Sequence, residues 1–311
     1  MAKSSESRGL LFNGIAGGNL LGFLAAIGTL QVVANFDPSV DWRLSWKTEG
    51  GPWSPVLFGD KQFSSDSFVD ELLIPALTRG DNGAIEAFTF ANNLNVSPEQ
   101  FRDVATAARN SAAFQSHRYA DFIAAFGCES LVTPDKRIQD TALRTMSGAG
   151  HQHFLRSMKE LVEKTERDHL NSSLFETWTY VDERPSLRWD PIDDRRHALR
   201  WKRPADDPVR TMRGANRLAL EALPLLPTAP QERELHTTGF SQRRGAGVFF
   251  TWPIWESSLG IDVIRSLLSL ADLQDTHPKR DRLRSMGIVE IFRCERITVD
   301  KFRNFTQATP V

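Results

Sequence analysis

The sequence has little cysteine, almost no net charge and no long hydrophobic run, and each of these shortages excludes a class of protein. Only Cys128 and Cys294 occur among the 311 residues, which excludes a disulfide framework and favours a reducing, cytoplasmic setting. A formal net charge of −1 excludes overall basicity, so binding to nucleic acid requires segregated charge. The apolar runs are shorter than the roughly 20 residues that span a bilayer, so we expect no membrane segment.

Recognisable catalytic motifs are also missing. The glycines at Gly14, Gly17 and Gly18 are not followed by the Lys-Ser or Lys-Thr pair of a Walker-type phosphate loop, and no dinucleotide fingerprint occurs. A nucleophile elbow and a His-Glu-x-x-His helix are absent as well. We therefore expect a binding protein with no catalytic residues, no cofactor and no metal.

The composition that is present, 41% hydrophobic and 25% charged residues, is typical of a globular protein. Residues 14–33 predict a buried helix, because a glycine turn and the candidate N-cap Asn19 precede apolar residues at helical spacing. Gly22, Ala25 and Ala26 lie between those apolar residues. They form a small-residue face that a second backbone can approach closely.

The hydrophobic pattern predicts an α+β fold: an N-terminal helix with a β-hairpin, a helical middle, and a mixed C-terminal part with short antiparallel strands. The hairpin is expected over residues 40–58, and a final strand over 288–292 precedes a basic tail that includes Arg293, Arg296 and Arg303. Helices are predicted from residue 67 until Pro75 and over 98–110, 112–126, 138–146, 152–167 and 261–273.

Shifts in composition divide the chain into three parts. Residues 1–180 form an N-terminal α+β to helical domain, residues 181–217 a basic loop or linker rich in Arg, Trp and Pro, and residues 218–311 a C-terminal α+β region. The middle part contains four prolines and little periodic apolar pattern between residues 184 and 217, so it is expected to be mostly loop.

The segregated charge lies in residues 184–217, where ten basic residues face five acidic ones. Guanidinium groups suit bidentate phosphate contacts, and the interleaved Trp189 and Trp201 offer faces that stack on bases. The alternative is a solvated network in which the arginines pair with the aspartates. Arg243 and Arg244 form a second basic turn between two short strands. This turn either approaches a polyanion or caps a solvated hairpin. The candidate nucleic-acid contacts are Arg195, Arg196, Arg200, Trp201, Lys202, Arg203, Arg210, Arg213, Arg217, Arg243 and Arg244.

One further candidate site is the glycine-containing loop over residues 147–153, which opens a helix and carries His151 and His153. A His-x-His pair allows metal ligation, or a phosphate contact when protonated, whereas the spacing supplies no third ligand. The alternative is that both histidines pack or face solvent. Two other functions therefore stay open: a nuclease or phosphoesterase that uses His151 and His153, with or without a metal, and a scaffold that docks a partner protein.

Three blocks of the sequence resemble subunits of type I-U (also called I-G) CRISPR effector complexes. The resemblance is to subunits of the large-subunit kind. In residues 14–33, Asn19, the pair Gly22-Phe23, the pair Ala25-Ala26 and the run Gly28-Thr29-Leu30 are similar to the opening motif of those subunits, in which a turn leads into a Phe-Leu-x-Ala-x-Gly-x-Leu helix. The blocks at residues 214–219 and 250–255 are similar to stretches of small CRISPR-associated proteins of that kind.

The resemblance implies a non-enzymatic, nucleic-acid-binding subunit of an RNA-guided surveillance complex of the Cascade type, with a role in antiviral defence. Its partners would be guide RNA, target DNA and other CRISPR effector subunits, without a membrane. Such a subunit contacts the RNA or DNA backbone and helps to recognise the protospacer-adjacent motif, while base pairing supplies sequence specificity.

Overall fold

The computed structural model describes residues 9–112, 117–148, 152–193, 210–243, 247–299 and 302–311. In this part of the chain the predicted α+β fold is confirmed, with helices and antiparallel sheets in one mixed arrangement. None of the helices in these ranges combines the length and the apolarity that crossing a bilayer requires.

Helix α1, Leu20–Phe36, is the buried helix that the sequence predicts, and every residue from Leu20 to Val33 is buried. The backbone N–H of Gly22 donates to Oδ1 of Asn19 at 3.2 Å, so Asn19 is the N-cap. Gly28 faces a later helix so closely that a Cβ there would collide with the carbonyl oxygen of Leu218. The two backbones are therefore in direct contact at Gly28, which is not one of the residues of the predicted small-residue face.

The predicted hairpin is present. Strands β1, Leu10–Leu11, β2, Arg43–Lys47, and β3, Ser54–Phe58, form an antiparallel sheet in the order β1-β3-β2. Phe23 of α1 stacks on Trp46 of β2, with the ring centroids 5.8 Å apart. The hairpin is thus packed on the opening helix.

The helical middle is longer at Pro75 than predicted. Helix α2, Ser65–Ser67, continues through a π-helical turn, Phe68–Leu73, into α3, Ile74–Thr89. Pro75 does not interrupt this run, because it stands in the first positions of α3, where its missing N–H and fixed φ are tolerated.

The next helices follow the prediction in part. Helix α4, Pro98–Ala112, starts as predicted, with the N–H of Gln100 donating to Oγ of Ser97 at 3.2 Å. Helix α5 is Arg118–Phe126. The helix predicted over 138–146 is wrong: strands β4, Gly127–Val132, and β5, Ile138–Asp140, form a hairpin there, and a buried turn follows. Short apolar runs do not distinguish a helix from a strand, and pairing with β4 decided this one.

The helix predicted over 152–167 is present as α6, Phe154–Lys164. A separate helix that was not predicted, α7, Arg167–Phe175, follows it. Its N-cap is Glu166, whose backbone N–H donates to Nδ1 of His169 at 3.0 Å.

The C-terminal part contains longer strands than expected. Its elements are α8, Arg213–Leu220, β6, Thr228–Gln231, β7, Glu234–Thr237, β8, Phe240–Arg243, β9, Gly247–Trp255, α9, Ile261–Leu268, α10, Ala271–Gln274, α11, Arg280–Ser285, β10, Ile288–Val299, β11, Phe302–Phe305, and β12, Thr309–Pro310. The main antiparallel sheet has the order β11-β10-β9-β8, and β12 also pairs with β10. Strands β6 and β7 form a separate pair.

The predicted basic tail is wrong for Arg293, Arg296 and Arg303, because β10 continues to Val299 and pairs with β11, which places all three within the sheet. Arg293 is buried and donates to Oγ1 of Thr251 and to the carbonyl oxygens of Leu273, Asp275 and Thr276. The pKa of Arg293 is lowered to about 10, mainly by burial, with the charge of nearby Arg243 adding to the effect and Asp275 opposing it. Four acceptors make this interior position tolerable.

One cluster of buried apolar residues contains members of all three parts into which the composition divides the chain. Phe23 of α1 lies 5.7 Å from the ring of Trp252 of β9, and the indole N–H of Trp252 donates to the carbonyl oxygen of Gly17 at 2.8 Å. Leu187 and Trp189, from the predicted loop, are also fully buried in this cluster. The glycine turn before α1 therefore belongs to the core.

We predict that Gly28→Ala destabilises the protein by about 1 to 3 kcal/mol, because the added methyl group has to displace the α8 backbone. A Gly-to-Ala change in an open helix would have the opposite sign, since it gains roughly 0.5 to 1 kcal/mol. Urea unfolding measures the change. Gly51→Ala is the control, because no atom lies within 4 Å of the new Cβ. Equal stability of the two variants would contradict the close contact.

Candidate nucleic-acid interface

The centre of the predicted basic segment lies outside the described residues. Residues 194–209, with the candidate contacts in them, are not described. One residue of the second basic turn and one of the two histidines also lie outside the described residues. What the structure shows is the root of the segment, meaning residues 180–193 and 210–217, where it leaves and rejoins the core. The predicted positions outside the description are Arg195, Arg196, Arg200, Trp201, Lys202, Arg203, Arg244 and His151.

The two ends of the segment are joined at the root. Asp182 and Thr211 form an isolated antiparallel bridge, and the N–H of Thr211 donates to the carbonyl oxygen of Asp182 at 2.9 Å. The N–H of Arg213 donates to Oδ2 of Asp182 at 2.8 Å, at the start of α8. Asn216 of α8 accepts the N–H of Leu187 at 2.9 Å. The segment is therefore a loop with a closed base.

The incoming arm of the root is anchored in the core. The indole N–H of Trp189 donates to the carbonyl oxygen of Leu143 at 2.9 Å, and Oγ1 of Thr145 donates to the carbonyl oxygen of Leu187 at 2.7 Å. Trp189 is fully buried, so its predicted role as a stacking face for bases is wrong. Spacing alone did not distinguish it from Trp201.

Asp190 connects the root to the opening helix. Its carboxylate accepts hydrogen bonds from the Tyr180 hydroxyl at 3.2 Å, from the N–H of Ile192 at 3.0 Å and from the side chain of Asn19, which also caps α1. Burial raises the pKa of Asp190 above its ordinary value, while these three donors oppose the rise. The buried carboxylate of Asp190 thus connects the turn before α1 with the base of the basic loop.

Two of the described candidate arginines lie at the root. The Arg210 side chain is 47% exposed, donates to the carbonyl oxygen of Val181 at 2.7 Å and lies 3.6 Å from Glu183. Arg213 donates to the carbonyl oxygens of Glu183 and Lys164, and its guanidinium is 3.2 Å from Nε2 of His169. Arg210 is placed where a phosphate can reach it, whereas Arg213 mainly joins α6, α7 and α8.

Arg217 does not fit its predicted role as a phosphate contact. Its side chain is 2% exposed and donates to Oε1 of the fully buried Glu221 at 2.6 Å. Arg118 of α5 donates to the other oxygen of Glu221 and, through Nε, to the carbonyl oxygen of Gly80 at 2.7 Å. Burial by itself raises the pKa of Glu221, but the two guanidinium groups hold it below its ordinary value. This triad joins α3, α5 and α8.

Arg243 lies at the end of β8, where the predicted basic turn between two strands begins. Its guanidinium is 4.9 Å from the ring centre of Phe249 and donates to the carbonyl oxygen of Asp275 at 3.2 Å. Arg243 is therefore positioned by its own hairpin and by the loop after α10.

A second group of basic residues, which the sequence reasoning missed as a site, lines a cleft of about 280 Å³. We call it the arginine cleft and define it by Arg144, Arg296, Arg303 and Asp140. Arg144 and Asp140 form a bidentate ion pair with both distances at 2.8 Å. Arg296 of β10 donates to the carbonyl oxygen of Arg144 at 2.8 Å. Arg144 lies 152 residues before Arg296 in the sequence, so spacing does not bring it together with Arg296 and Arg303.

The arginines of this cleft repel one another. The pKa of Arg296 is lowered to about 10, mainly by burial, with the charges of Arg303 and Arg144 adding to the effect and Asp140 opposing it. Burial also lowers the pKa of Arg303, with Arg144 adding to the effect and Asp140 opposing it. Such crowding of like charges in a partly buried place favours a bound anion.

The arginine cleft adjoins the root of the basic loop. Arg144 stands between Leu143 and Thr145, the two residues that hydrogen-bond to the incoming arm. The 3₁₀ turn Pro191–Asp193 packs beside β11, the strand that carries Arg303. The root of the basic loop and the arginine cleft therefore form one region.

The chain matches no protein-family model, and no curated protein is significantly similar to it. The interpretation of this region consequently depends on its own geometry and charge.

The predicted histidine pair is only partly described. His153 is the N-cap residue of α6 and makes no side-chain capping hydrogen bond. Within the described ranges, no group of three or more His, Cys, Asp or Glu side chains is placed to hold a metal ion. The described residues thus add no ligand to His153.

We predict that Glu221→Gln lowers the free energy of unfolding by about 3 to 5 kcal/mol, because it removes the buried carboxylate that Arg118 and Arg217 share. Denaturant unfolding at neutral pH measures the loss. Glu163→Gln on the surface of α6 is the matched control, since Glu163 is 49% exposed and should change stability by less than about 1 kcal/mol. Similar losses in both variants would contradict the role of the triad.

For Asp190→Asn we predict that the variant gains stability relative to the wild type as pH rises above the ordinary pKa of aspartate. The folded-state pKa of Asp190 is raised by burial, so the wild type loses stability as the carboxyl group ionises, and the neutral amide does not. Unfolding midpoints measured across the acid to neutral range test this. A difference that stays constant with pH would contradict it.

Proposed function

We propose that this protein is a non-catalytic, nucleic-acid-binding subunit of a cytoplasmic, RNA-guided CRISPR surveillance complex. The observation that carries the proposal is the position of the root of the basic segment. Asp182 and Thr211 bridge at this root, which lies beside the arginine cleft. Positive charge is thus concentrated in one region of a chain whose net charge is −1.

The charge of this region suits a polyanion rather than a single acidic side chain. Residues 184–217 carry a surplus of five positive charges by sequence, and the arginine cleft lies at their root. Arginine binds phosphate oxygens in a bidentate manner and without sequence preference. In an RNA-guided complex the protein supplies such sequence-independent contacts with the phosphate backbone, because base pairing supplies the sequence specificity.

A closed base also favours productive contacts. Bringing the two ends of a long loop together costs conformational entropy, and the bridge at the root meets that cost during folding. The bridge thus fixes the two points at which the basic segment leaves and rejoins the protein. Trp201 is the residue proposed to stack on a base or wedge between bases. The proposed phosphate contacts are Arg195, Arg196, Arg200, Lys202, Arg203 and Arg210.

Replacing those six basic residues by alanine should weaken binding to single-stranded and double-stranded nucleic acid. Each phosphate contact that is lost should reduce the slope of log K against log salt by about 0.7 for single strands and about 0.9 for duplex DNA. Fluorescence anisotropy at several salt concentrations measures both quantities. The matched control replaces six exposed basic residues elsewhere by alanine: Lys61, Arg79, Arg102, Arg109, Arg282 and Arg284.

An unchanged affinity and salt slope in the first variant, or an equal loss in the control, would overturn this proposal. Purification from the native cell adds an independent measurement. A guide-binding subunit should be recovered with RNA of uniform length, whereas a protein-docking scaffold would be recovered in a complex without nucleic acid.

A further inference from the structure

The arginine cleft holds hydrogen-bond donors that the described part of the chain does not satisfy. Arg144 is paired with Asp140, but Nε of Arg296 is buried without a hydrogen-bond partner. The guanidinium of Arg303 makes no hydrogen bond or ion pair within the described ranges. Buried donors are normally paired, so Nε of Arg296 is an unmet donor in the wall of the cleft. The guanidinium of Arg303 is partly exposed, so it is the group that an acceptor from outside the chain can reach.

The charges in the cleft select the kind of acceptor. Three guanidinium groups and the carboxylates of Asp140 and Glu234 line the cleft. Asp140 pairs with Arg144, which leaves the guanidinium groups of Arg296 and Arg303 without an ion pair within the described ranges. His236 also lines the cleft, and neither Glu234 nor His236 is among the groups that shift the pKa of Arg296 or Arg303. A phosphate monoester matches this surplus, because it carries about −1.5 to −2 charges at neutral pH and three strong acceptor oxygens.

The size of the cleft supports a terminal group. Its volume of about 280 Å³ is slightly below the roughly 300 to 1,000 Å³ of ordinary ligand pockets. A phosphodiester inside a strand carries one charge and needs room for chain on both sides. A terminal phosphate carries more charge and needs room on one side only, which agrees better with a small cleft of this charge.

We propose that the arginine cleft binds a phosphate monoester, such as the phosphate at one end of a nucleic-acid strand or on a mononucleotide. The strand-end source rests on the proposed function, whereas the phosphate chemistry does not. A strand whose end is bound beside Arg303 would meet the root of the basic loop next, because β11 packs beside Pro191–Asp193. End recognition and backbone contact would then follow one another along the strand.

The experiment compares one short RNA in three forms, with a phosphate at the 5′ end, at the 3′ end or at neither end, using the full chain. In parallel, thermal unfolding is recorded with inorganic phosphate, AMP and adenosine. We expect one phosphorylated RNA to bind at least about tenfold more tightly than the unphosphorylated RNA, which is roughly the contribution of one charge-assisted hydrogen bond. AMP and phosphate should raise the unfolding temperature, and adenosine should not.

Arg303→Gln should abolish the preference for the phosphorylated end and the stabilisation by phosphate and AMP. This variant should fold, since Arg303 has no hydrogen-bond partner in the described part of the chain, and Arg296→Gln is the second variant. The matched control is Arg284→Gln, an exposed arginine of α11 that does not line the cleft. It should retain the preference.

The outcomes separate the two proposals. Equal binding of all three RNAs, with no stabilisation by phosphate or AMP, would overturn the phosphate pocket and leave the proposed function standing. Stabilisation by AMP that Arg303→Gln removes, without binding of any RNA, would support the pocket with a mononucleotide as its source and contradict the proposed function. A preference that survives in both Arg303→Gln and Arg296→Gln would also overturn the pocket.

Discussion

The enclosure of α1 is the constraint on which the rest of the structure depends. A helix buried from Leu20 to Val33 has to be covered on all sides, and the cover comes from distant parts of the chain: the hairpin, α8 and β9. Gly28 permits the α8 backbone to approach, and α8 in turn receives the end of the basic loop. The same packing that buries the opening motif thus positions the root of the candidate interface.

The arginines of this protein serve two purposes that composition does not separate. Arg217 and Arg293 lie in the interior, where carboxylate or carbonyl oxygens satisfy them, and they join elements of the fold. Arg296 and Arg303 are crowded together beside one ion pair and keep donors directed at a cleft. A count of the basic residues in a segment therefore includes arginines whose charge is used inside the fold. It also misses a positive site whose arginines come from different parts of the sequence.

The sequence allowed the fold class, the buried opening helix, the hairpin and the start of α4 to be predicted, because each depends on local pattern or capping. It did not allow the strand pair β4 and β5 or the full length of β10 to be predicted, since sheet pairing joins residues whose partners are remote. Trp189 was misjudged for a related reason. An aromatic residue among prolines and arginines looks exposed until Leu143 provides its hydrogen-bond acceptor and the core encloses it.

By itself the sequence determined which segments are apolar, where the positive surplus lies and that Asn19 caps a helix, since these properties are carried by neighbouring residues. Only the tertiary structure decided that Asp182 meets Thr211, that Asn19 also reaches Asp190, and that Arg144, Arg296 and Arg303 line one cleft. The physical reason is that an electrostatic site depends on distance and burial in space. The chain brings those charges together only when β10 and β11 pair and the root of the basic loop packs against them.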